Sequence, residues 1–251
     1  MKIGIVTGAS SGMGREAVLQ LAGQFDFDEI WVIARRKERL LGLSRQVKTP
    51  LRLFPLDLQQ EEDLTLLENA LRERAPEVKF LVNAAGYGKI GPVGSLEWEE
   101  ETGMVRLNCQ ALCALTHMVL PYMPHNSRIL MFASAAAFAP QPDFAVYAAT
   151  KAFVLSYSQA LGAELASRDI AVTAVCPGPV KTEFFDIAQS TGEIPIYKLL
   201  VMANPRRVVA KAIRDSIAKK PVSVYGLSMK AFWLLSRIVP HRVIFWVMQK
   251  F

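Results

Sequence analysis

An apolar run, Ile3 to Val6, leads into three glycines, Gly8, Gly12 and Gly14, and then into the helical pattern of Ala17, Val18, Leu21 and Ala22. No other stretch limits the fold of this chain so tightly. The run fits a buried parallel strand. The helix after it starts on a glycine-rich turn, so its first backbone N–H groups and its positive end point beyond the strand. Glycines at such a turn let a pyrophosphate approach the backbone and let the helix pack on the strand. Strand, turn and helix in that order predict a phosphate cradle near the amino terminus.

The rest of the chain repeats the alternation. Strands are predicted at Ile3–Val6, Ile30–Ala34, Leu51–Pro55, Phe80–Asn83, Arg128–Ser134, Ala171–Cys176 and Val222–Tyr225. Long helices are predicted at about 13–24, 60–75, 98–120, 144–167 and 205–219. Alternating strands and helices argue for an α/β fold, a single doubly wound parallel sheet with helices on both faces. A chain of 251 residues fits one such unit. Ligands in these folds bind beyond the carboxyl ends of strands. Asn83, Ser134 and the Pro177 segment all fall at predicted carboxyl ends.

Tyr147-Ala-Ala-Thr-Lys151 carries the chemistry. On a helix, positions i and i+4 share a face, so the phenol and the ammonium point the same way. A nearby Lys⁺ favours the phenolate, so Tyr147 is expected to have a lowered pKa and to exchange protons near neutral pH. Ser134 stands thirteen residues upstream, where its hydroxyl could bond a carbonyl or alcohol oxygen.

The glycine spacing is Gly-x3-Gly-x-Gly, not the commoner Gly-x-Gly-x2-Gly. Together with Tyr147 and Lys151 it resembles the short-chain dehydrogenase/reductase family. Asn83-Ala84-Ala85-Gly86 is similar to that family's motif after the fourth strand, and Pro177-Gly178-Pro179-Val180-Lys181-Thr182 to its Pro-Gly segment. The resemblance covers about residues 2–225 and implies a Rossmann-type catalytic domain over 1–225. It also implies a catalytic tetrad. Tyr147 would donate a proton to a carbonyl, Lys151 would tune Tyr147, Ser134 would orient the substrate oxygen, and Asn108 would hold a proton-relaying water. Cofactor contacts are implied for Gly8, Ser10, Ser11, Gly12, Met13 and Gly14, and for Asn83, Ala84 and Gly86. Tyr147 and Lys151 would hold the nicotinamide ribose; Pro177, Gly178, Val180 and Thr182 would lie beside the nicotinamide. Asp57 and Leu58 resemble the pair that contacts adenine, and Asp57 could also cap the following helix through Gln60.

In dinucleotide folds an acid about 20 positions past the turn binds the ribose 2′-hydroxyl of NAD. Here Ala34 stands in that place, followed by Arg35 and Arg36, which could pair with a 2′-phosphate. The expected cofactor is NADP(H), with Arg35 as the leading contact. The expected activity is reduction of a carbonyl on a mainly apolar small molecule, or oxidation of the matching alcohol. The alternative is an NADP(H)-binding sensor or scaffold without turnover, against which the intact Ser134, Tyr147 and Lys151 argue. Residues 183–204, rich in Phe, Ile and Leu, are expected to cover the substrate. His117, His125 and His241 are given no catalytic role.

All of the net charge of +6 resides in residues 216–251, which carry six Lys and Arg and no acid, so no nucleic-acid face is predicted. Residues 226–251 form an apolar, basic, helical extension divided at Pro240. Its halves are too short to span a bilayer. It either packs on the body or on another subunit, or lies on a membrane surface. Cys109, Cys113 and Cys176 sit in apolar segments and read as free thiols in a reducing, cytoplasmic setting, with no metal site. A strand beginning at residue 2 leaves no room for a signal peptide in this sequence. By family resemblance a homodimer or homotetramer is expected, paired through helices 98–120 and 144–167.

Overall fold

The computed structural model describes residues 1–184, 188, 202–240 and 242. Seven parallel strands form one sheet in the order β3-β2-β1-β4-β5-β6-β7. They are β1 (Lys2–Thr7), β2 (Glu29–Ile33), β3 (Leu51–Phe54), β4 (Glu77–Asn83), β5 (Arg128–Phe132), β6 (Ala171–Val175) and β7 (Val222–Ser223). Side chains alternate between the two faces, as strand geometry requires. Ile3 and Ile5 of β1 and Trp31 and Ile33 of β2 join one core; Val6, Ile30 and Val32 join the other.

Helices cover both faces. α1 (Gly12–Gln24) and α2 (Lys37–Ser44) pack on the Val6 side, as does α7 (Pro205–Ile217). α3 (Glu61–Arg74), α5 (Leu112–Val119) and α6 (Ala145–Glu164) pack on the Ile5 side. Local sequence explains the helix ends. α3 opens with Glu61, Glu62 and Asp63 and closes with Arg72 and Arg74, each matched to the end dipole. α7 begins with Pro205, after an Asn204 side chain that accepts from the Arg206 N–H at 2.9 Å.

All seven expected strands form, with shifted ends. β5 stops at Phe132, so Ser134 lies just beyond the strand, and β7 shrinks to two residues. The long helix expected over 98–120 is broken. α4 (Trp98–Val105) passes into a π-helical segment, Arg106–Ala111, and only then into α5. α2 was not expected; its charged first turn masks a single apolar pair, Leu40 and Leu43. A last helix, α8 (Leu227–Ile238), follows β7.

Most of the expected substrate cover, residues 185–187 and 189–201, lies outside the described residues, as do residue 241 and residues 243–251. The flanks of the cover are tied together. Val180 and Ala203 form a parallel bridge, the Lys181 N–H donates to the Ala203 carbonyl at 3.0 Å, and the Ala203 N–H donates to the Pro179 carbonyl at 2.8 Å. Among the described residues, no helix is long and apolar enough to cross a membrane. Of the six cations in 216–251, Lys219 is paired with Asp169 and Lys220 with Asp215. Both acids come from outside that window, so two of its six cations are paired, neither of them in the 226–251 extension.

α1 touches β1 through bare backbone. A Cβ on Gly14 would lie 2.4 Å from the Gly8 carbonyl oxygen, whereas one on Gly23, in the same helix, would meet nothing within 4 Å. Gly14→Ala should therefore destabilise the chain by about 1–3 kcal/mol. Gly23→Ala should stabilise it by up to about 1 kcal/mol. Denaturant melts of both variants check this; equal behaviour would contradict the close contact.

Candidate active site

The carboxyl ends of β1, β2, β4 and β5 open onto one cleft of about 550 Å³. Gly8, Ser10, Ser11, Gly12, Met13 and Gly14 line one end. Gly8 and Gly12 adopt φ of 66° and 53°, a backbone that side chains other than glycine rarely accept. The first turn of α1 has no acid, and Ser11 makes no side-chain cap bond. The orphan N–H groups of that turn are therefore free for an anion. This glycine cradle fits a dinucleotide pyrophosphate.

The basic rim is arranged differently from the sequence expectation. Arg36, not Arg35, reaches the turn, its guanidinium 3.1 Å from Ser10 Oγ and 2.9 Å from Ser11 Oγ. It also pairs with Glu183 at 3.0 Å, and Arg39 joins the same carboxylate. The two cations hold the Glu183 carboxyl below its usual pKa, the Arg39 hydrogen bond most strongly. Arg35 is mostly exposed and lies 3.8 Å from Asp57. Asp57 and Leu58 line the cleft next to it. Asp57 Oδ1 accepts from the Gln59 N–H at 3.1 Å, and the Asp57 N–H donates to Asp63 Oδ2 at 2.7 Å, so the two acids brace the entry to α3.

At the other end lie Ala84, Gly86, Tyr147, Lys151 and Thr182. Asn83 is turned away into the core, where its amide donates to Thr116 Oγ1 at 3.0 Å. Pro177 accepts from the Ala135 N–H at 2.8 Å. Gly178 lines a separate cavity of about 440 Å³ beside Met229. Val180 is buried in the α1–α7 core.

Tyr147 and Lys151 occupy one face of α6, both buried. Lys151 Nζ sits 5.6 Å from the Tyr147 ring centre and donates to the Phe132 carbonyl at 2.8 Å. Ser134 precedes a short 3₁₀ turn, Ala135–Phe138, and its Oγ accepts from the Ala136 N–H at 3.1 Å. Phe144 stacks on Tyr147 with ring centres 4.2 Å apart, and Phe184 lies at 5.3 Å. The expectation of a lowered Tyr147 pKa is not met in this state. Burial pushes the phenol up to about 12, and the neighbouring Ser134 hydroxyl pulls the other way. Burial also brings Lys151 down to about 8. Desolvation is the largest cause of both shifts.

Asn108 does not line the cleft. It lies within the π-helical segment, and its amide donates to the Tyr87 carbonyl at 2.9 Å and to Thr150 Oγ1 at 3.0 Å. Its Oδ1 accepts from the Tyr87 N–H at 3.1 Å. Thr150 then donates to the Tyr147 carbonyl at 2.7 Å. Thr150 thus links Asn108 to the tyrosine; its place at i+3 from Tyr147 was the signal for it. A Cβ on Gly86 would fall 2.8 Å from Asn108 Oδ1 and 3.4 Å from Lys151 Nζ, so only backbone separates the two.

A family model described as short chain dehydrogenase matches residues 2–191. This chain belongs to that family. It is an oxidoreductase of the short-chain dehydrogenase type, with the Rossmann-type sheet of its relatives. The very-long-chain 3-oxoacyl-CoA reductase-B of Danio rerio is 29% identical over 256 residues, covering 98% of this chain and 74% of the relative. A short-chain dehydrogenase from Sphingobium yanoikuyae, solved in complex with NADPH, shares the structure at TM-score 0.82 and 28% identity, over 97% of this chain and 95% of that one. The fold recurs in the 3-ketoacyl-(acyl-carrier-protein) reductase from Brucella melitensis complexed with NADH, at TM-score 0.76 and 23% identity, over 89% of this chain and 96% of that one. Similar short-chain dehydrogenase structures thus hold nicotinamide dinucleotides of both kinds.

The burial of Lys151 has a consequence for stability. Below about pH 8 the folded and unfolded chains both keep its proton, and the folded chain bears the full cost of a buried charge. Between about 8 and the usual 10.5 the folded chain releases the proton and the unfolded chain keeps it, so stability from this group rises with pH. Lys151→Met should therefore melt higher, relative to the parent, at about pH 7 than at about pH 10. Calorimetry at the two pH values checks this, and a difference that does not shrink contradicts it.

Proposed function

We propose that this short-chain dehydrogenase uses NADPH to reduce the carbonyl of a mainly apolar small molecule, the reverse oxidation running through the same groups. The observation that carries the reading is the buried Tyr147 beside Lys151 and Ser134, in a cleft whose other end is the glycine cradle. Gly8 to Gly14 would hold the pyrophosphate, Asp57 and Leu58 the adenine, and Tyr147 with Lys151 the nicotinamide ribose. Bound there, the nicotinamide supplies a hydride, or accepts one in the oxidation. Ser134 Oγ–H holds the substrate oxygen. Tyr147 Oη gives its proton to that oxygen as the carbonyl carbon is reduced. The phenolate left on Tyr147 is stabilised by the Lys151 ammonium and by Ser134. A phenol that keeps its proton up to about 12 is in the donating form at neutral pH. A sensor without turnover would have no use for a lysine held in so costly a place.

The apolar substrate follows from the surroundings of Tyr147. Met104, Ala136, Ala148, Tyr87, Phe144 and Phe184 cluster around it. NADP(H) preference follows from Arg36 at the glycine turn, with Arg35 and Arg39 near it and Ala34 where an acid would hold a 2′-hydroxyl. Assembly into a homodimer or homotetramer is part of the proposal. Phe153 of α6 is exposed and stacked on Tyr157, and Val105 is exposed on α4, as a helix-paired interface requires. Three free thiols go with a reducing, cytoplasmic setting.

Tyr147→Phe should lower kcat by at least about 10²-fold and leave NADPH binding nearly unchanged, since proton transfer is worth about 10²–10⁴ and the ring still packs. Residual turnover above a tenth of the parent's would count against the assignment. Fluorescence titration should give tighter binding of NADPH than of NADH, and Arg36→Ala should erase that difference, with a loss of about tenfold or more for a charge-assisted contact. Equal or tighter NADH binding by the parent refutes the preference.

A further inference from the structure

α8 has two apolar faces. Met229, Phe232 and Trp233 pack inward on the core. Phe232 and Trp233 meet Phe138 with ring centres 5.9 and 6.4 Å apart. On the other side, Leu227, Leu234, Leu235 and Ile238 are 84, 59, 55 and 73% exposed. Their spacing of i, i+7, i+8 and i+11 puts them along one stripe. An ordinary surface helix turns polar residues outward. Here the outward stripe is leucine and isoleucine, flanked by Lys230 and Arg237. Neither cation makes an ion pair among the described residues, and Arg237 rests 4.4 Å over the Trp233 ring, its charge at the edge of the stripe. Arg242 is exposed just beyond. No acid occurs anywhere in 216–251.

We propose that this outer face of α8 docks on an anionic lipid surface, with the helix lying in the plane of the interface. Twelve residues at 1.5 Å each give about 18 Å, too short to cross a hydrocarbon core of about 30 Å. An interfacial helix needs what this one has: aliphatic side chains on one side, basic groups at its margin and no acid. The inward aromatic stripe fixes the helix to the body, so docking would orient the whole enzyme. Charge decides against a second copy of the chain as the occupant. A two-fold contact through this stripe would bring Lys230 and Arg237 of one copy near those of the other, with no acid of 216–251 to meet them.

The test is co-sedimentation of the full chain with vesicles of phosphatidylcholine containing about one third phosphatidylserine, at low salt. The parent should pellet with them and be released by high salt. Leu234→Ser/Leu235→Ser/Ile238→Ser should lower the partition coefficient about tenfold or more. Lys230→Gln/Arg237→Gln should lower it about tenfold or more, at roughly 1 kcal/mol per cation. NADPH titration and circular dichroism report whether each variant keeps its fold; if the serine variant does not, the glutamine variant carries the test. Three results overturn the proposal: the parent stays in solution with anionic vesicles, both folded variants bind like the parent, or the serine variant dissociates an oligomer in sedimentation velocity. The last would make this face a contact between copies.

Discussion

The contact between the ends of β1 and β4 governs the geometry of the molecule. Thr7 Oγ1 accepts from the backbone N–H groups of both Ala84 and Ala85 at 3.0 Å. A Cβ on Gly8 would lie 2.8 Å from the Ala84 carbonyl oxygen. The strand order reverses between these two neighbours, and at such a point the connections part to opposite faces and leave a crevice. Closing that crevice with backbone and one hydroxyl holds the glycine turn of β1 against the Asn83–Gly86 segment of β4. The glycine-turn end and the Tyr147 end of the cleft are thereby fixed relative to each other.

The surroundings of Tyr147 are built from buried polar groups that satisfy one another. Asn108 bonds both backbone groups of Tyr87 and the Thr150 hydroxyl, and Thr150 bonds the Tyr147 carbonyl. A fully bonded polar network in a low dielectric is stiff, and it holds the backbone of Tyr147 in place. Lys151 is the exception in cost: its charge is buried against the Phe132 carbonyl, and loss of solvent lowers its pKa.

Much of this was legible in the residues. Apolar runs such as Ile30–Ile33 and Ile129–Phe132 could only be buried strands, and the glycines after β1 announced the cradle. The Tyr147–Lys151 spacing put both groups on one helix face, where the structure has them. What escaped was what composition does not encode. Arg106–Ala111 reads as ordinary helix, because a hydrogen bond drawn one residue further along leaves no trace in residue type. Burial of Tyr147 depends on Phe144 and Phe184 closing over it, so the sign of its pKa shift needed the fold. That Arg36 reaches Ser10 and Ser11 while Arg35 lies by Asp57 is a matter of side-chain placement that residue type alone does not encode. The apolar character of α8 was plain in sequence, but not that half of it would remain uncovered.

The paired backbone at Val180 and Ala203 has a different consequence. It pins both ends of the segment between them to the same spot at the edge of the cleft. The entropy of closing a loop between fixed ends grows slowly with length, by about 0.6 kcal/mol for each doubling. An insertion or deletion between Phe184 and Met202 therefore costs little in loop closure, so long as Glu183 keeps its pairs with Arg36 and Arg39 and Phe184 its place beside Tyr147. In evolutionary terms the stretch between those two residues is an exchangeable cassette, whose length can drift without renegotiating the stability of the fold.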